Sequence, residues 1–398
     1  MSRQNSISAI TDEFVEYRHA LHENPQTSYE EEFASNLVAE KLNEWGIPFE
    51  ENIATTGIVA TIEGQKTSSG DAIALRADMD ALDIEEQTDL PWASKISGKM
   101  HACGHDGHTT TLLATAKYLN ETKNYNGSVH LIFQPAEEGG RGAHKMIEEG
   151  LFERFPCDAI YAFHNWPSLP KGQIAMRPGP MLASSDGFII DIAAQGGHAA
   201  MPHQTRDPVL IASQLASALQ TLISRETDPL KSAVLSVTNL DAGTGAFNVI
   251  ADSARLTGTV RTFDQEVRNH IEKRISEVAE NLTTAFGATA TVEYERGLEP
   301  TINDEKAIDL CTQAASQVVG EDNVDTAFGP SMGAEDFGAF LTEKPGAFVM
   351  IGQGEQKDPD SPHNQGLHTP LYDFNDDILP VATEYFVELV ERSLPLQK

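Results

Sequence analysis

Short apolar runs that alternate with helical segments constrain the fold of this chain more than any other feature of its sequence. The runs typical of β-strands cover residues 57–63, 72–76, 128–133 and 158–163. Apolar residues at helical spacing cover 10–21 and 29–45, and again 108–119 between the second and third strands. Strands that alternate with helices predict an α/β sheet with parallel pairs of strands.

Three of these strands end directly in polar residues. Asp78 follows the second strand, the pair Glu137 and Glu138 follows the third, and His164 follows the fourth. Binding sites in open α/β sheets form at the carboxyl ends of the strands. We therefore expect these side chains to converge on one edge of the sheet, because separate strands deliver them there.

A different pattern begins near residue 187 and predicts an inserted domain. Strands and helices follow one another there in the order βαββαβ, which is the split βαβ pattern. The strands cover 188–194, 233–240, 254–263 and 290–295, and the helices cover 208–224 and 266–286. We place this α+β, ferredoxin-like domain at 184–297, inserted in a first domain that comprises 1–183 and 298–398. Helices at 305–319 and 379–393 and a strand at 347–352 complete that first domain.

A fourth polar cluster, at 101–108, lies immediately before a predicted helix. It contains Cys103 and His105, with glycines at 104 and 107 that let a loop fold around an ion. A thiolate and imidazoles so close together suit a borderline-soft divalent metal such as zinc, manganese, cobalt or nickel. The alternative is a helix start with incidental histidines. The carboxylates and His164 at the sheet edge favour the metal site.

The adjacent acids Glu137 and Glu138 allow two roles at one site. Successive side chains of an extended chain point in opposite directions, so both cannot face the same ion. One of the two can then bind a metal while its neighbour transfers protons. Two solvated loop glutamates are the alternative, which the flanking Gln-Pro-Ala and glycine-rich residues argue against.

Composition and charge argue against several classes of function. The chain has 28 Lys and Arg against 60 Asp and Glu, a formal charge of −32, and no basic run that could neutralise phosphates. We therefore expect no nucleic acid partner. No segment approaches the roughly 18 apolar residues of a membrane span, or resembles a signal peptide. Three scattered cysteines suit a reducing compartment, so we expect a cytoplasmic protein without a membrane partner.

The motifs, in this order, resemble the amidohydrolase branch of the co-catalytic metallopeptidase family, within the aminoacylase and carboxypeptidase superfamily. Hippurate hydrolases, auxin-amino acid conjugate hydrolases and N-acetyl-diaminopimelate deacetylases are the most similar members. The matching segments run almost end to end, at 18–25, 76–82, 101–108, 135–142, 196–203 and 368–370. The resemblance implies a mixed-sheet, peptidase-like catalytic domain that carries an inserted lid.

The resemblance also assigns roles to individual residues. It implies two divalent metal ions per subunit, held by Cys103, His105, Glu138, His164 and His368. Cys103 is expected to bridge the two ions, and Glu137 is expected to act as the general base. The role of His368 rests on the resemblance alone, because an isolated His-Thr-Pro is otherwise typical of a loop.

Asp78 and Asp106 are candidates for a supporting role. Carboxylates commonly accept a hydrogen bond from a metal-bound imidazole and so fix its tautomer. Capping of the loops is an equally good interpretation of both residues. Glu335 and Asp336 lie in a stretch that also resembles the family, but the sequence assigns them no role.

In relatives the inserted domain is a lid and a dimerisation module, so the resemblance implies a homodimer. His198 would reach the catalytic site, in its own or in the neighbouring subunit, and polarise the carbonyl of the scissile bond. Asn248 and Arg261 would bind the carboxylate of the substrate, for which a guanidinium offers two parallel hydrogen bonds. Taken alone, His198 would be interpreted as a turn residue.

The expected reaction is hydrolysis of the amide bond of N-acyl amino acids by a metal-activated water, which yields a carboxylic acid and a free amino acid. Acetyl, benzoyl and indole-acetyl conjugates all fit this substrate class. One alternative is a dipeptidase or carboxypeptidase on the same scaffold. Others are an amidase with Cys103 as its nucleophile and a non-enzymatic metal-binding protein.

Overall fold

The structure, a computed structural model, describes residues 3–396 and divides the chain into two compact units. Unit 1 comprises Met1–Met181, Ile302–Gly329 and Asp336–Lys398, and unit 2 comprises Leu182–Thr301 and Pro330–Glu335. Unit 2 extends beyond the expected insertion at both ends, and its second segment has no strand or helix pattern that the sequence could reveal. Residues 1–2 and 397–398, which the sequence assigned to the first domain, lie outside the described residues.

Helices and strands alternate along most of the chain. The helices are α1 Arg3–Glu23, α2 Glu32–Glu44, α3 His105–Thr122, α4 Gly142–Glu148, α5 Leu151–Arg154, α6 Pro208–Thr221, α7 Gln265–Ala285, α8 Glu305–Val319, α9 Phe337–Glu343 and α10 Leu379–Ser393. The strands are β1 Phe49–Ile53, β2 Gly57–Glu63, β3 Ala72–Asp78, β4 Ser128–Gln134, β5 Ala159–Pro170, β6 Ile174–Ala175, β7 Gly179–Leu182, β8 Ser185–Ala193, β9 Gly197–His198, β10 Ala233–Ala242, β11 Val249–Ile250, β12 Ser253–Thr262, β13 Thr289–Leu298, β14 Thr301–Asn303, β15 Val324–Asp325 and β16 Gly346–Gly354. The shortest strands were not predicted, because two residues have no detectable periodicity. No helix within residues 3–396 is long and apolar enough to cross a membrane.

An eight-stranded mixed sheet forms the centre of unit 1, in the order β1-β2-β4-β3-β5-β16-β6-β15. The strands β4, β3, β5 and β16 run parallel, so their carboxyl ends lie at one edge. All seven residues of β3 are buried, which is typical of a parallel sheet with helices on both faces. Asp78, the last residue of β3, pairs with Gln134, the last residue of β4. The polar residues that follow the two strands therefore begin side by side at the edge of the sheet. The predicted α/β fold with a mixed sheet is confirmed.

A four-stranded antiparallel sheet in the order β10-β12-β8-β13 forms unit 2, together with α6 and α7. The elements follow the order βαββαβ of the sequence prediction. Asp207 and Asp264 cap α6 and α7 by accepting hydrogen bonds from the first backbone amides of each helix. Ile190, Leu215 and Ile271 are fully buried in the core between sheet and helices. Strand β8 alternates between buried and half-buried residues, so helices cover one face of this sheet.

Helix α3 of unit 1 begins without a side-chain cap, directly from the loop that contains predicted metal ligands. Gly104 occupies its N-cap position with φ of +98°, a left-handed conformation that glycine adopts without strain. A Cβ at Gly104 would come within 2.3 Å of Asn165 Oδ1, and a Cβ at Gly107 within 2.3 Å of the Phe374 ring. Both positions therefore require glycine, because the neighbouring segments pack directly against the backbone of this turn.

Candidate metal centre

The five predicted ligand residues, all in unit 1, lie close together. The first ligand group consists of Cys103, His105 and His164, and the second consists of Cys103, Glu138 and His368. Within each group the potential ligand atoms lie within 4.8 Å of one another. Cys103 belongs to both groups, which is the position that a ligand shared by two ions must occupy.

Separate elements of unit 1 deliver these ligand atoms to one place. Cys103 precedes α3 and His105 is the first residue of that helix, whereas His164 lies within β5. Glu138 lies in the turn after β4, and His368 lies in the loop after β16. Strands β4, β5 and β16 are parallel, so the convergence occurs where α/β sheets commonly form their sites.

The backbone adopts a left-handed conformation beside two of the predicted site residues. Ala136, immediately before Glu137, has φ of +56°, and His368 has φ of +61°. Residues other than glycine rarely adopt such values, and strain of this kind is concentrated at functional sites. The His368 amide donates a hydrogen bond to the Ala102 carbonyl at 2.8 Å. This bond ties His368 to the loop at 101–105, which we call the ligand loop.

Hydrogen bonds orient the two histidines of the first ligand group. His164 Nδ1 lies 2.7 Å from the carbonyl oxygen of Asn165, and its Nε2 lies 3.3 Å from Cys103 Sγ. His105 Nδ1 lies 2.9 Å from the carbonyl oxygen of Asp80 and 3.2 Å from Asp80 Oδ1. Because Nδ1 of each ring donates to an oxygen, Nε2 of each ring is left as the ligand atom.

Charge and burial around Cys103 favour a bound cation. Burial, and then the charges of Glu138 and Glu137, raise the pKa of the Cys103 thiol well above its usual value. Burial holds the pKa of His164 well below its usual value, so this imidazole is neutral. His105 Nε2 is buried without a hydrogen-bond partner among the described residues, and Glu138 Oε1 lies 3.0 Å from His368 Nε2. A soft divalent cation would satisfy His105 Nε2 and favour the thiolate, so the donor set fits a metal ion.

Glu137, the predicted general base, is buried beside the ligand groups. Its carboxylate oxygen lies within 4.8 Å of ligand atoms of His105 and Glu138. A general base must reach the proton that it removes directly or through one water molecule. Glu137 satisfies this geometric condition for a water molecule placed between the ligand atoms.

Asp80 is a supporting residue that sequence reasoning missed. Besides its contact with His105, its Oδ2 accepts hydrogen bonds from the Glu138 amide at 2.8 Å and from the Ser28 hydroxyl at 3.2 Å. One carboxylate thus orients ligands on two segments. The sequence signal that could have identified Asp80 is its position two residues after Asp78, because the two side chains then lie on the same face of an extended chain. That periodicity does not distinguish the two residues.

The two carboxylates that were expected to support the ligands each form a short contact with a histidine outside the two ligand groups. Asp78 Oδ1 lies 2.6 Å from His108 Nδ1, and Asp106 Oδ2 lies 2.7 Å from His22 Nδ1. Neither His108 nor His22 is a predicted metal ligand. Asp78 Oδ2 also lies 3.7 Å from Nε2 of the predicted ligand His105, so the supporting role of the two carboxylates stays a prediction.

Asp336, to which the sequence assigned no role, closes the turn after β4. Its buried carboxylate accepts hydrogen bonds from Gln134 Nε2 at 2.8 Å and from the Ala143 amide at 2.9 Å. It also lies 3.2 Å from Arg76 Nη2. These contacts hold both ends of the segment 135–142, which contains the two predicted glutamates.

Unit 2 brings two of its three predicted site residues together. His198 lies on β9, which pairs with β11, and Asn248 immediately precedes β11. Arg261 lies near the end of β12. The neighbouring Val260 pairs with Asp186, which lies at the start of β8. Seven residue steps of about 3.3 Å separate Asp186 from Ala193, so these two residues of β8 are about 23 Å apart. His198 follows the far end, away from Arg261.

Fold and ligand arrangement together define a class of protein. A mixed α/β unit that gathers a cysteine, histidines and a carboxylate into two overlapping groups, beside a buried glutamate, is typical of metal-dependent hydrolases. The model of peptidase family M20/M25/M40 matches residues 74–392, and the chain belongs to this family. The prediction of a hydrolase and the resemblance to the amidohydrolase branch are confirmed by this match and by the relatives.

Two curated relatives and one solved structure are similar over nearly the whole chain. A hippurate hydrolase of Campylobacter jejuni is 39% identical over 393 residues, which cover 98% of this chain and 100% of the relative. An N-acetyl-L-cysteine deacetylase of Bacillus subtilis is 40% identical over 390 residues, which cover 98% and 90%. The crystal structure of B. subtilis YXEP, a dinuclear metal-binding peptidase from the M20 family, matches with a TM-score of 0.84 and 35% identity, covering 97% of this chain and 99% of that one.

Proposed function

We propose that this chain is a metal-dependent amidohydrolase that cleaves the amide bond of N-acyl amino acids to a carboxylic acid and a free amino acid. The observation that carries the proposal is the pair of ligand groups that share Cys103 beside the buried carboxylate of Glu137. The relatives support the substrate class, because hippurate and N-acetyl-L-cysteine are both N-acyl amino acids.

Two divalent ions would occupy the two ligand groups, with Cys103 as the shared ligand. Zinc, manganese, cobalt and nickel all suit a set of one thiolate, three imidazoles and one carboxylate. The dinuclear metal-binding relative supports the number of two ions. When bound, such ions polarise the substrate carbonyl and lower the pKa of a water molecule towards about 7.

Glu137 would carry the proton during the reaction. Its carboxylate lies beside the ligand atoms, where it would remove a proton from the attacking water. The same carboxyl would then donate that proton to the nitrogen of the leaving amino acid. The left-handed backbone at Ala136 turns the chain just before Glu137, and the Glu138 amide is fixed by Asp80. The two adjacent glutamates can therefore serve different roles.

The active enzyme would be a homodimer with two copies of the site. Of the residues of one subunit, His198 and Asn248 would act at one copy and Arg261 would act at the other. Two observations support this arrangement. Asp186 and Ala193, which flank the two groups along β8, are about 23 Å apart, and this separation argues against contact of both groups with one small substrate within unit 2. Leu210, Phe247 and Val249 of unit 2 are also exposed, as expected of a surface that another protein covers. His198 would polarise the scissile carbonyl, and Asn248 and Arg261 would bind the substrate carboxylate.

The cysteines bear on two further points. A nucleophilic thiol requires a lowered pKa, whereas burial and the two glutamates raise the pKa of Cys103. This difference favours Cys103 as a metal ligand over Cys103 as a nucleophile. Cys157 and Cys311 are also free and buried, which supports a reducing compartment and hence a cytoplasmic location.

The proposed function is tested with a panel of substrates and metals. Metal-free protein is reconstituted with zinc, manganese, cobalt or nickel and incubated with N-acetyl, N-benzoyl and indole-acetyl amino acids and with dipeptides. We expect release of free amino acid from N-acyl amino acids, abolished by a chelator and restored by metal. Preference for dipeptides would support the dipeptidase alternative. Activity that resists complete metal removal would contradict the proposal.

A further inference from the structure

The segment 18–25 resembles the family pattern, but neither the ligand groups nor the proposed reaction uses it. Two of its side chains, Arg18 and His22, lie about one turn apart on α1 and are fully buried. Burial of a guanidinium and an imidazole is unfavourable unless carboxylates and hydrogen bonds compensate for lost water. The partners of these two side chains therefore indicate what the segment does.

Arg18 is surrounded by carboxylates. Its Nε and Nη2 donate two parallel hydrogen bonds to Asp376 Oδ1 and Oδ2, at 2.7 and 2.9 Å. Its Nη1 donates to Asp373 Oδ1 at 3.2 Å and lies 3.7 Å from Asp106 Oδ2. Its Cζ lies 5.1 Å from the centroid of the Trp92 ring. One buried cation thus joins α3 to two residues of the segment before α10.

His22 makes a second connection to the same helix. Its Nδ1 lies 2.7 Å from Asp106 Oδ2 and its Nε2 lies 3.4 Å from Glu86 Oε1. Burial alone would lower the pKa of His22, but the hydrogen bond to Asp106 and the charge of that carboxylate raise it to about 9. Both ring nitrogens therefore carry protons and donate to carboxylates at neutral pH.

These carboxylates belong to segments that carry ligands of different groups. Asp106 directly follows His105, a member of the first ligand group. Asp373 and Asp376 lie five and eight residues after His368, a member of the second ligand group. Helix α1 therefore connects the two segments through charged hydrogen bonds, although it contributes no ligand itself.

The segment after His368 also packs directly on the turn that begins α3. The Tyr372 hydroxyl would lie 2.6 Å from a Cβ at Gly104, and the Phe374 ring would lie 2.3 Å from a Cβ at Gly107. The intervening Asp373 contacts Arg18 instead. Successive residues of this segment thus point in opposite directions, towards the turn and towards α1. The segment is therefore held between these two surfaces.

We propose that Arg18 and His22 are positioning residues that hold the segment after His368 against the ligand loop and so complete the second ligand group. The inference rests on the metal centre of the proposed function. His368 depends on such docking because it lies in a loop, and its side chain is 51% exposed. The histidines of the first ligand group are instead fixed by hydrogen bonds that their Nδ1 atoms donate to the carbonyl oxygens of Asp80 and Asn165.

Cobalt binding tests the proposal, with Arg18→Lys and His22→Gln as variants. Lysine keeps the charge of Arg18 but loses the two parallel hydrogen bonds, and glutamine keeps hydrogen-bonding capacity without the charge. Arg268→Lys in unit 2 is the matched control, because Arg268 is also buried and bonded to one carboxylate, Asp186. The dissociation constants of both Co²⁺ ions, the cobalt absorption spectrum and the melting temperature of the metal-free protein are measured.

We expect both variants to bind the first cobalt ion as the wild type does and the second about 10- to 100-fold more weakly, the usual effect of losing support behind a ligand. The visible cobalt spectrum should lose the contribution of the second ion and regain it at high cobalt concentration. Arg268→Lys should lower the melting temperature and leave both cobalt affinities unchanged, because its ion pair touches no ligand segment.

Unchanged cobalt affinities in both Arg18→Lys and His22→Gln would overturn the proposal, as would equal weakening of the two ions. If Arg18→Lys does not fold, His22→Gln and Asp376→Asn decide the question by the same criteria. Wild-type protein that binds fewer than two cobalt ions would contradict both this inference and the proposed function. Wild-type protein that binds two ions without hydrolysing any N-acyl amino acid would contradict the proposed function alone.

Discussion

Several candidate functional residues of the two units lie in opposite environments, although His368 of unit 1 is half exposed. In unit 1, Cys103, His105 and His164 are buried, and hydrogen bonds orient both rings. In unit 2, His198 and Asn248 are exposed, at the end of a two-stranded ribbon. A buried and hydrogen-bonded set needs no further partner to be ordered, whereas an exposed set reaches a defined geometry only when another surface covers it.

The strands show the same difference. All residues of β3 are buried, whereas β8 alternates between buried and half-buried residues. A parallel strand covered on both faces can present functional residues only at its end, where the polar clusters of unit 1 lie. A sheet that helices cover on one face only leaves its other face available for an interface. We therefore expect catalysis in unit 1 and, in the proposed dimer, association through unit 2.

The largest expected effect tests unit 1. Changing Glu137 to Gln should lower turnover by about 10²- to 10⁴-fold, because it removes the group that carries the proton. Metal content should stay at the wild-type value, as measured by elemental analysis of the purified protein. Glu138→Gln is the control, since it removes a ligand oxygen and should reduce metal content. Loss of metal from Glu137→Gln would reassign that residue to the ligands.

The next prediction tests unit 2 and the proposed dimer. His198→Ala should lower turnover by about 10²- to 10³-fold with normal metal content, because an oxyanion donor is lost. Mixing this variant with Glu137→Gln under conditions of subunit exchange should restore part of the activity. One site of the mixed dimer would then carry both defects and the other site neither. Demonstrated exchange without recovery would show that His198 acts within its own chain or not at all.

A smaller effect should separate shared from unshared ligands of unit 1. Cys103→Ser should weaken the binding of both metal ions, because this residue belongs to both ligand groups and sulfur is the softer ligand. His368→Gln should weaken one ion only. Stepwise cobalt titration against a chelator measures both constants. If Cys103→Ser weakens a single binding step, the thiolate is not shared.

The smallest effect concerns the stability of metal-free unit 1. His22 faces Asp106 and Glu86, with Arg18 and His101 nearby, and its pKa rises from 6.5 in the unfolded chain to about 9 in the folded protein. Its stabilising contribution is therefore fully present below about pH 6.5 and is lost as the pH rises through about 9. Urea midpoints of the wild type should fall over this range more than those of His22→Gln. Equal declines in the two proteins would refute the charged state of His22.

Much of the fold was predictable because its signals are local. The periodicity of apolar residues identified the long strands of both units and the βαββαβ order of unit 2, since burial on one face or two leaves a pattern within a few residues. Asp78, Glu137 and His164 were recognised as site candidates because each follows a buried strand directly. Cys103 and His105 were recognised because they lie two residues apart in one loop.

The sequence by itself thus determined the two architectures and the ligand types, and the family resemblance added His368. Tertiary structure decided which carboxylate supports which histidine: Asp80 contacts His105, although Asp78 lies on the same face of the chain. It also decided that Arg18 binds Asp376, 358 residues away. Contacts between distant segments depend on how whole elements pack, and no local pattern of side chains encodes that packing.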